Sequence, residues 1–436
     1  MVTQATDNHI RIKRVLSKPS AGEAVEISGW VASKSTIGGL VFATIRDGTG
    51  YIQVSAKRGV TPAASMEAIK AVTKESAVSV RGVVREDTRA PGGVEVSVVD
   101  FNVVSLAETW PITKTAAKSA SYLYDVRHLS IRSRKAVSAM KVRAEVMGAA
   151  FDYMRTSGFV LINAPSFVQA AVEGGSTLFP VEYFGKKVYL SQSAQFYEEA
   201  ALAALEKVWI LQPAFRAEKS RTPKHLTEFW MIEAEQAFAD QSDNMGLQEG
   251  LLAFIAQRVV ENCPDELRTL GRTIKPPPLP FDRIPYDEVC DSAEKQGLPF
   301  EWGEDVPTDV ERVVSLAHDQ PFFITDYPLT ARSFYHMTYP DGPKVTKSAD
   351  LIAPEGFGEL ATGGQRIGSY EMLMERIRSQ DLPPEGLGWY LDLRKYGMPN
   401  HSGFGMGVER VTRWLGGLKH IRAASLFPRT MTRVSP

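Results

Sequence analysis

The chain has 436 residues, 44% hydrophobic and 23% charged, and its 50 basic and 51 acidic residues leave a formal net charge of −1. That length predicts two or three domains, the composition is that of a soluble globular protein, and near-neutrality confines any RNA contact to local patches. The only cysteines, Cys263 and Cys290, have no CxxC spacing, which argues against a disulfide framework or thiolate zinc site and fits a reducing cytoplasm. The opening MVTQATDNHIRIKRVL lacks a signal-peptide core and no stretch approaches 18 apolar residues, so no membrane span is expected.

Residues 1–105 read as β-rich. Segments 25–33, 40–47, 51–56, 76–84 and 94–105 alternate or run β-branched, with Gly38-Gly39, Gly48-Thr49-Gly50 and Pro91-Gly92-Gly93 between them as turns. A helical patch at 66–72 falls between the third and fourth. Five strands and one helix in this order suit an OB-fold barrel, with some other small β-domain as the alternative. Residues 106–130 have no sustained period and read as a hinge. From 131 to 436 helices and apolar strands alternate, starting with a helix over KAVSAMKVRAEVMGAAFDYMRTSG that ends at Gly158.

Three blocks in this larger part carry chemical interest. GFVLINAPSF (158–167) is a strand running into Pro165. FRAEKSRTPKHLTEFWMIEAE (215–235) joins two alternating strands by a basic loop carrying Arg216, Lys219, Arg221, Lys224 and His225. Such an antiparallel hairpin suits a polyphosphate, since a guanidinium grips two phosphate oxygens at once; alone it also fits a solvated loop. HSGFGMGVERVTRWL (401–415) runs a Gly-rich strand into a helix opened by Glu409 and Arg410, where glycines let backbone approach a ligand; alone it also fits tight strand–helix packing.

In this order and spacing the blocks resemble the three signature motifs of class II aminoacyl-tRNA synthetases. The resemblance extends to SQSAQFYEEA (191–200), APEGFGELATGGQR (353–366), WYLDLRKYG (389–397) and LFPRT (426–430), which look like the archaeal-type asparaginyl branch. It implies an α+β fold: an OB-fold anticodon-binding domain over 1–105, the hinge at 106–130, and a class II catalytic domain over 131–436 with an antiparallel sheet of six or seven strands flanked by helices. It also implies a homodimer built around Pro165, with ATP, asparagine and tRNA as substrates.

Carried over by position, Arg216 matches the arginine that holds the ATP α-phosphate and the amino-acid carboxylate, Glu218 the acceptor of the adenine amino group, and His225 a neighbour of the outer phosphates. Phe229 and Arg410 match the pair that sandwiches adenine, and Arg410 also reaches the γ-phosphate. The family's Mg²⁺ would meet Glu359 and Thr362, with Asp350 a weaker second acid. Glu173, before Gly174-Gly175, matches the acid that pairs with the substrate α-ammonium on a mobile lid. Gln195 matches a glutamine that holds the substrate backbone. Arg366 matches the arginine that reaches the side-chain oxygen of either aspartate or asparagine.

Aspartate and asparagine are nearly isosteric, so charge and hydrogen-bond direction must separate them. Aspartyl enzymes resemble QSPQxxKQ where this chain reads QSAQFYEE, so their lysine falls at Glu198, and Glu199 matches an acid typical of asparaginyl enzymes. A carboxylate ~4 Å from a bound aspartate costs about 4 kcal/mol at an effective dielectric of ~20, roughly 1000-fold in affinity. Either glutamate could instead be exposed on its helix. In the barrel, Phe42 and Gln53 match the pair that stacks on and hydrogen-bonds the central anticodon uridine; Phe42 as barrel core is the alternative. Lys34 stands where relatives usually carry arginine, and Pro399-Asn400-His401 displaces the usual proline by one residue. Three other readings stay open: an aspartyl or non-discriminating synthetase, a catalytically idle RNA-binding paralogue, and an amidating synthetase for free asparagine.

Overall fold

The computed structural model describes residues 10–169, 177–219, 222, 224–298, 300–382 and 384–436. Its contacts divide the chain into two units, Met1–Leu123 and Tyr124–Pro436. Elements are labelled in chain order as they are introduced.

In the first unit, strands β1 (Ala24–Ile37), β2 (Leu40–Arg46), β3 (Tyr51–Lys57), β4 (Ala77–Glu86) and β5 (Val94–Ser105) close into a barrel of order β1-β2-β3-β5-β4. Only the β3–β5 pair is parallel. Period-2 alternation sets the two faces: Val41, Ala43 and Ile45 of β2 fill the interior, and Phe42, Thr44 and Arg46 point outward. Helix α1 (Ala63–Ala71) covers one end through Met66 and Ile69. It starts three residues before the helical patch visible in sequence, since Ala63-Ala64-Ser65 carry no apolar period.

The second unit is built on an eight-stranded sheet. Its strands are β6 (Val160–Leu161), β7 (Lys207–Phe215), β8 (Glu228–Ala237), β9 (Asp282–Pro285), β10 (Phe322–Thr325), β11 (Ser348–Ala353), β12 (Gly358–Gln365) and β13 (His401–Gly407), in the order β9-β10-β11-β12-β13-β8-β7-β6. The six central strands are antiparallel. The two edge pairs, β7–β6 and β9–β10, are parallel, which corrects the expected six or seven antiparallel strands to eight of mixed direction. Edge strand β9 has only four residues, too short to leave a period in the sequence. The expected strand running into Pro165 is shorter than that block: Val160–Leu161 joins this sheet, whereas Phe167–Val168 pairs into a separate three-stranded sheet, and Pro165 between them has no N–H for a ladder.

Helices α2 (Arg134–Thr156) and α4 (Gln241–Asn262), with α3 (Gln195–Leu205) between them in sequence, flank this sheet. Ser133 caps α2 by accepting from Ala136 N, and Asp240 with Asp243 forms a capping box on α4. Their apolar faces, including Val142, Val146, Leu252 and Ile255, pack with Ile232 and Ala234 of β8 and Phe404 and Met406 of β13 in one core. The alternate residues of those two strands are left for the opposite face, and that face carries the site.

Candidate active site

The opposite face holds a cavity of about 420 Å³. Its floor is a consequence of strand register. On β8, Met231, Glu233 and Glu235 face the cavity, and their partners on β13 are Gly407, Gly405 and Gly403. A Cβ at Gly403 would stand 2.1 Å from Glu235 Cδ and one at Gly405 2.7 Å from Met231 Cε. The glycine period of the third block therefore clears space for the side chains of the second.

The hairpin β7–β8 brings one group of expected residues together. Arg216 directly follows β7, its N–H donating to Thr227 O (3.0 Å), and its guanidinium lies 5.5 Å from the Phe229 ring centroid. Glu218 Oε2 is 3.8 Å from His225 Nε2, and His225 Nδ1 is 2.5 Å from Thr222 Oγ1. Burial, then the charges of Arg410 and Lys224, push the His225 imidazole down to about 4, so it is neutral at pH 7. Lys224 is ion-paired to Glu311 on helix α5 (Thr308–Leu316), and Glu311 also accepts from Glu359 N.

Glu359 and Thr362 lie on β12, with Thr362 Oγ1 donating to Glu359 Oε1 at 3.3 Å. Arg410, on helix α7 (Val408–Leu415) after the glycine strand, is ion-paired to Glu359 and donates to its carbonyl at 3.3 Å. Burial alone would raise the Glu359 carboxyl, but Arg410, Lys224 and Arg216 hold it at about 2. Glu409, beside Arg410, turns inward and accepts from Trp230 N and Arg143 (both 2.9 Å), fastening α7 to β8 and α2. Asp350 stands opposite Thr362 in register and pairs with Arg332 at 2.7 Å.

The other end of the cavity is lined by Gln195, Glu198 and Arg366 together with Glu233, Glu235 and His336. Arg366 donates through Nε and Nη2 to Glu235 Oε1 at 3.0 and 2.5 Å. Glu198 is 1% exposed and its Oε1 has no hydrogen-bond partner among the described residues. Burial, then Glu233 and Glu235, raise its carboxyl well above the usual range. Instead of the charged carboxylate expected at Glu198, this environment favours the protonated form, which can donate a hydrogen bond.

Glu199 does not line the cavity. It is fully buried one turn beyond Gln195 and accepts from Gln195 Nε2, so its expected place beside the substrate side chain is not where the structure puts it. Glu173 and Arg221 lie outside the described residues. In the barrel, Thr44 pairs with Gln53 and Phe42 with Ser55, making Phe42 and Gln53 diagonal neighbours on the outer face, which excludes Phe42 from the barrel core. Gln53 Nε2 donates to Glu95 Oε2 at 3.0 Å. Lys34 Nζ donates to the carbonyls of Lys70 and Val72.

Sequence reasoning missed Glu233, Glu235, Arg332 and His336 as cavity residues. The two glutamates had a legible signal, acids at alternate positions of the apolar strand EFWMIEAE. Arg332 and His336 sit in a loop whose path only the fold determines.

An OB-fold unit and a sheet with a polyphosphate-suited hairpin define a class. The family model described as tRNA synthetases class II (D, K and N) matches residues 119–431, and an OB-fold nucleic acid binding domain matches 25–104. The chain belongs to the class II tRNA synthetases of the aspartate, lysine and asparagine group.

Within that group its relatives at 41–45% identity include several asparagine–tRNA ligases. It is 45% identical to the asparagine–tRNA ligase of Thermococcus gammatolerans over 95% of this chain and 96% of the relative. It is 41% identical to that of Thermoplasma acidophilum over 98% and 100%. A solved asparaginyl-tRNA synthetase from Pyrococcus horikoshii complexed with asparaginyl-adenylate superposes with a TM-score of 0.94 at 42% identity, covering 98% of this chain and 99% of the other.

Proposed function

We propose that this chain activates L-asparagine with ATP and transfers it to the 3′ end of tRNA(Asn). The observation that carries this reading is one cavity with two chemically distinct ends. Among its lining residues, Arg216, Glu218, His225, Phe229 and Arg410 neighbour one another, and Glu198, Glu235 and Arg366 form a second group, with Gln195 on the same helix as Glu198. The first end suits a nucleotide triphosphate, with cationic groups for phosphates and an aromatic ring for a base. The second suits a small polar amino acid. The asparagine α-carboxylate attacks the α-phosphate, forming asparaginyl-adenylate and releasing pyrophosphate; the terminal ribose hydroxyl of tRNA then attacks the carbonyl and releases AMP. In this reading Arg216 contacts the α-phosphate and the attacking carboxylate together, orients both reactants and stabilises the charge of the first transition state. Neutral His225 offers its ring to the outer phosphates.

Mg²⁺ would be held by Glu359 and Thr362, with Asp350 on the adjoining strand. All are hard oxygen donors, and among the described residues no three acids or histidines form a complete metal cage. That donor set fits an ion that takes its remaining ligands from phosphates and water. When bound, the ion would neutralise the leaving pyrophosphate. The guanidinium groups of Arg410 and Arg332 neutralise these carboxylates without it.

A homodimer around Pro165 belongs to the same reading, supported by Val160, Leu161 and Phe167, each 42–50% exposed there. So does a cytoplasmic location, and no helix among the described residues is long and apolar enough to cross a membrane. An idle paralogue has no use for the intact polyphosphate groups, and the relatives' specificity disfavours the aspartyl alternative. ATP–pyrophosphate exchange measured side by side with asparagine and aspartate tests the proposal: asparagine-dependent exchange is expected, and equal or greater exchange with aspartate would overturn it.

The outer barrel face supports an anticodon contact through Phe42 and Gln53. Phe42→Ala is expected to weaken tRNA(Asn) charging about 5- to 150-fold in kcat/KM, the equivalent of ~1–3 kcal/mol for one stacked base. Pyrophosphate exchange without tRNA stays intact. Equal loss in both assays would remove Phe42 from tRNA recognition.

A further inference from the structure

Glu199 lies behind the cavity at the meeting of three elements. Both it and Gln195 are on α3, one turn apart, and Gln195 Nε2 is 2.9 Å from Glu199 Oε1. From helix α6 (Gly388–Lys395), Tyr390 OH donates at 2.9 Å to both carboxylate oxygens, and Arg394 forms an ion pair with Oε2. From β13, His401 Nε2 lies 2.9 Å from Oε2 while its Nδ1 lies 2.9 Å from Pro399 O. The carboxylate, Arg394 and His401 side chains are all 0% exposed. Arg394 is itself fixed by donating through Nε to Ile367 O at 3.0 Å. Burial would raise the Glu199 carboxyl, but Arg394 and His401 hold it well below the usual range. Glu199 is thus an anion pinned on several sides and able only to accept hydrogen bonds.

An amide facing such a group has one allowed orientation. Its NH2 must point at the carboxylate, which leaves its oxygen for the other side, and Gln195 borders the cavity. We infer that Glu199 is a positioning residue for amino-acid binding: it fixes the Gln195 amide so that Oε1 is presented to the cavity, where it accepts a hydrogen bond from the substrate α-ammonium. This rests on the asparagine-activating reading above. An amide free to flip would present its NH2 to an ammonium for part of the time, donor against donor. The acid that sequence alone placed beside the substrate side chain therefore acts on the substrate backbone, through Gln195.

The test is Glu199→Gln, which keeps the shape but gives position 199 a donor as well as acceptors, so that Gln195 loses its imposed direction. KM for asparagine in pyrophosphate exchange is expected to rise about 10-fold or more, as for loss of one charge-assisted hydrogen bond. KM for ATP and kcat stay within about twofold. Succinamic acid, which is asparagine without its α-amino group, inhibits the wild type and the variant with the same constant. A merely structural role would weaken asparagine and succinamic acid alike, and either that outcome or an unchanged asparagine KM overturns the inference. Wild-type crystals soaked with asparagine test it without a variant: the ammonium within hydrogen-bond distance of Gln195 Oε1 supports it, and an ammonium held elsewhere overturns it. A wild-type chain showing no asparagine-dependent exchange would instead sink the functional reading itself.

Discussion

Arg216→Ala is expected to lower kcat/KM for asparagine-dependent pyrophosphate exchange about a thousandfold, equivalent to ~4 kcal/mol of transition-state stabilisation. The effect is large because of where the hairpin puts the guanidinium. Its backbone is tied to Thr227 across the hairpin and its head lies over Phe229. It shares the cavity with Arg410 and Glu359 at the nucleotide end and with Gln195 and Arg366 at the amino-acid end. One planar group with paired donors can bind the attacking carboxylate and the α-phosphate together, so its removal costs both alignment and charge stabilisation. Arg216→Lys keeps the charge but loses the fork and is expected to recover less than a tenth of the lost activity. The thermal midpoint of both variants stays near that of the wild type. A loss smaller than tenfold in Arg216→Ala would remove this residue from the reaction.

What the sequence disclosed follows from which forces are local. The barrel strands were legible because alternation of Val41, Ala43 and Ile45 with outward Phe42 and Thr44 is the packing itself. The hairpin and glycine strand were legible because turn chemistry and period are written in contiguous residues. Edge strand β9 was not, since four residues carry no period and its pairing comes from the rest of the sheet, and β6 was read as part of a longer strand than its two residues. The neighbours Glu198 and Glu199 mark another limit. They point about 100° apart on a helix, and only the packing of α6 and β13 against α3 decides which one borders the cavity and which one is buried on Arg394. The protonation of Glu198 was equally beyond the sequence. Glu233 and Glu235, which raise its carboxyl, come from a strand 35 residues or more further along.

Glu198→Lys is expected to raise the aspartate-to-asparagine ratio of kcat/KM in pyrophosphate exchange by about a hundredfold or more. Glu198 lies among Glu233, Glu235 and Arg366, and that guanidinium already pairs with Glu235. A second carboxylate entering with aspartate meets buried acids, whereas the asparagine amide can exchange hydrogen bonds with carboxyl groups in either protonation state. A lysine at 198 supplies the missing positive charge and pairs with Glu233 when no substrate is present. Glu198→Gln separates the two possible roles of the native residue. Because burial and the neighbouring acids favour the protonated carboxyl, a neutral isostere keeps the preference for asparagine within about tenfold. Glu198→Gln also carries a stability signature. A glutamate whose carboxyl is raised on folding contributes stability that is complete below its unfolded value and is lost as pH rises through the raised one. Relative to the wild type, Glu198→Gln is therefore more stabilising at pH 8 than at pH 4, as read by thermal melts. A Glu198→Gln variant that activates aspartate as well as Glu198→Lys does would show that negative charge at this position, not hydrogen-bond direction, excludes the acid.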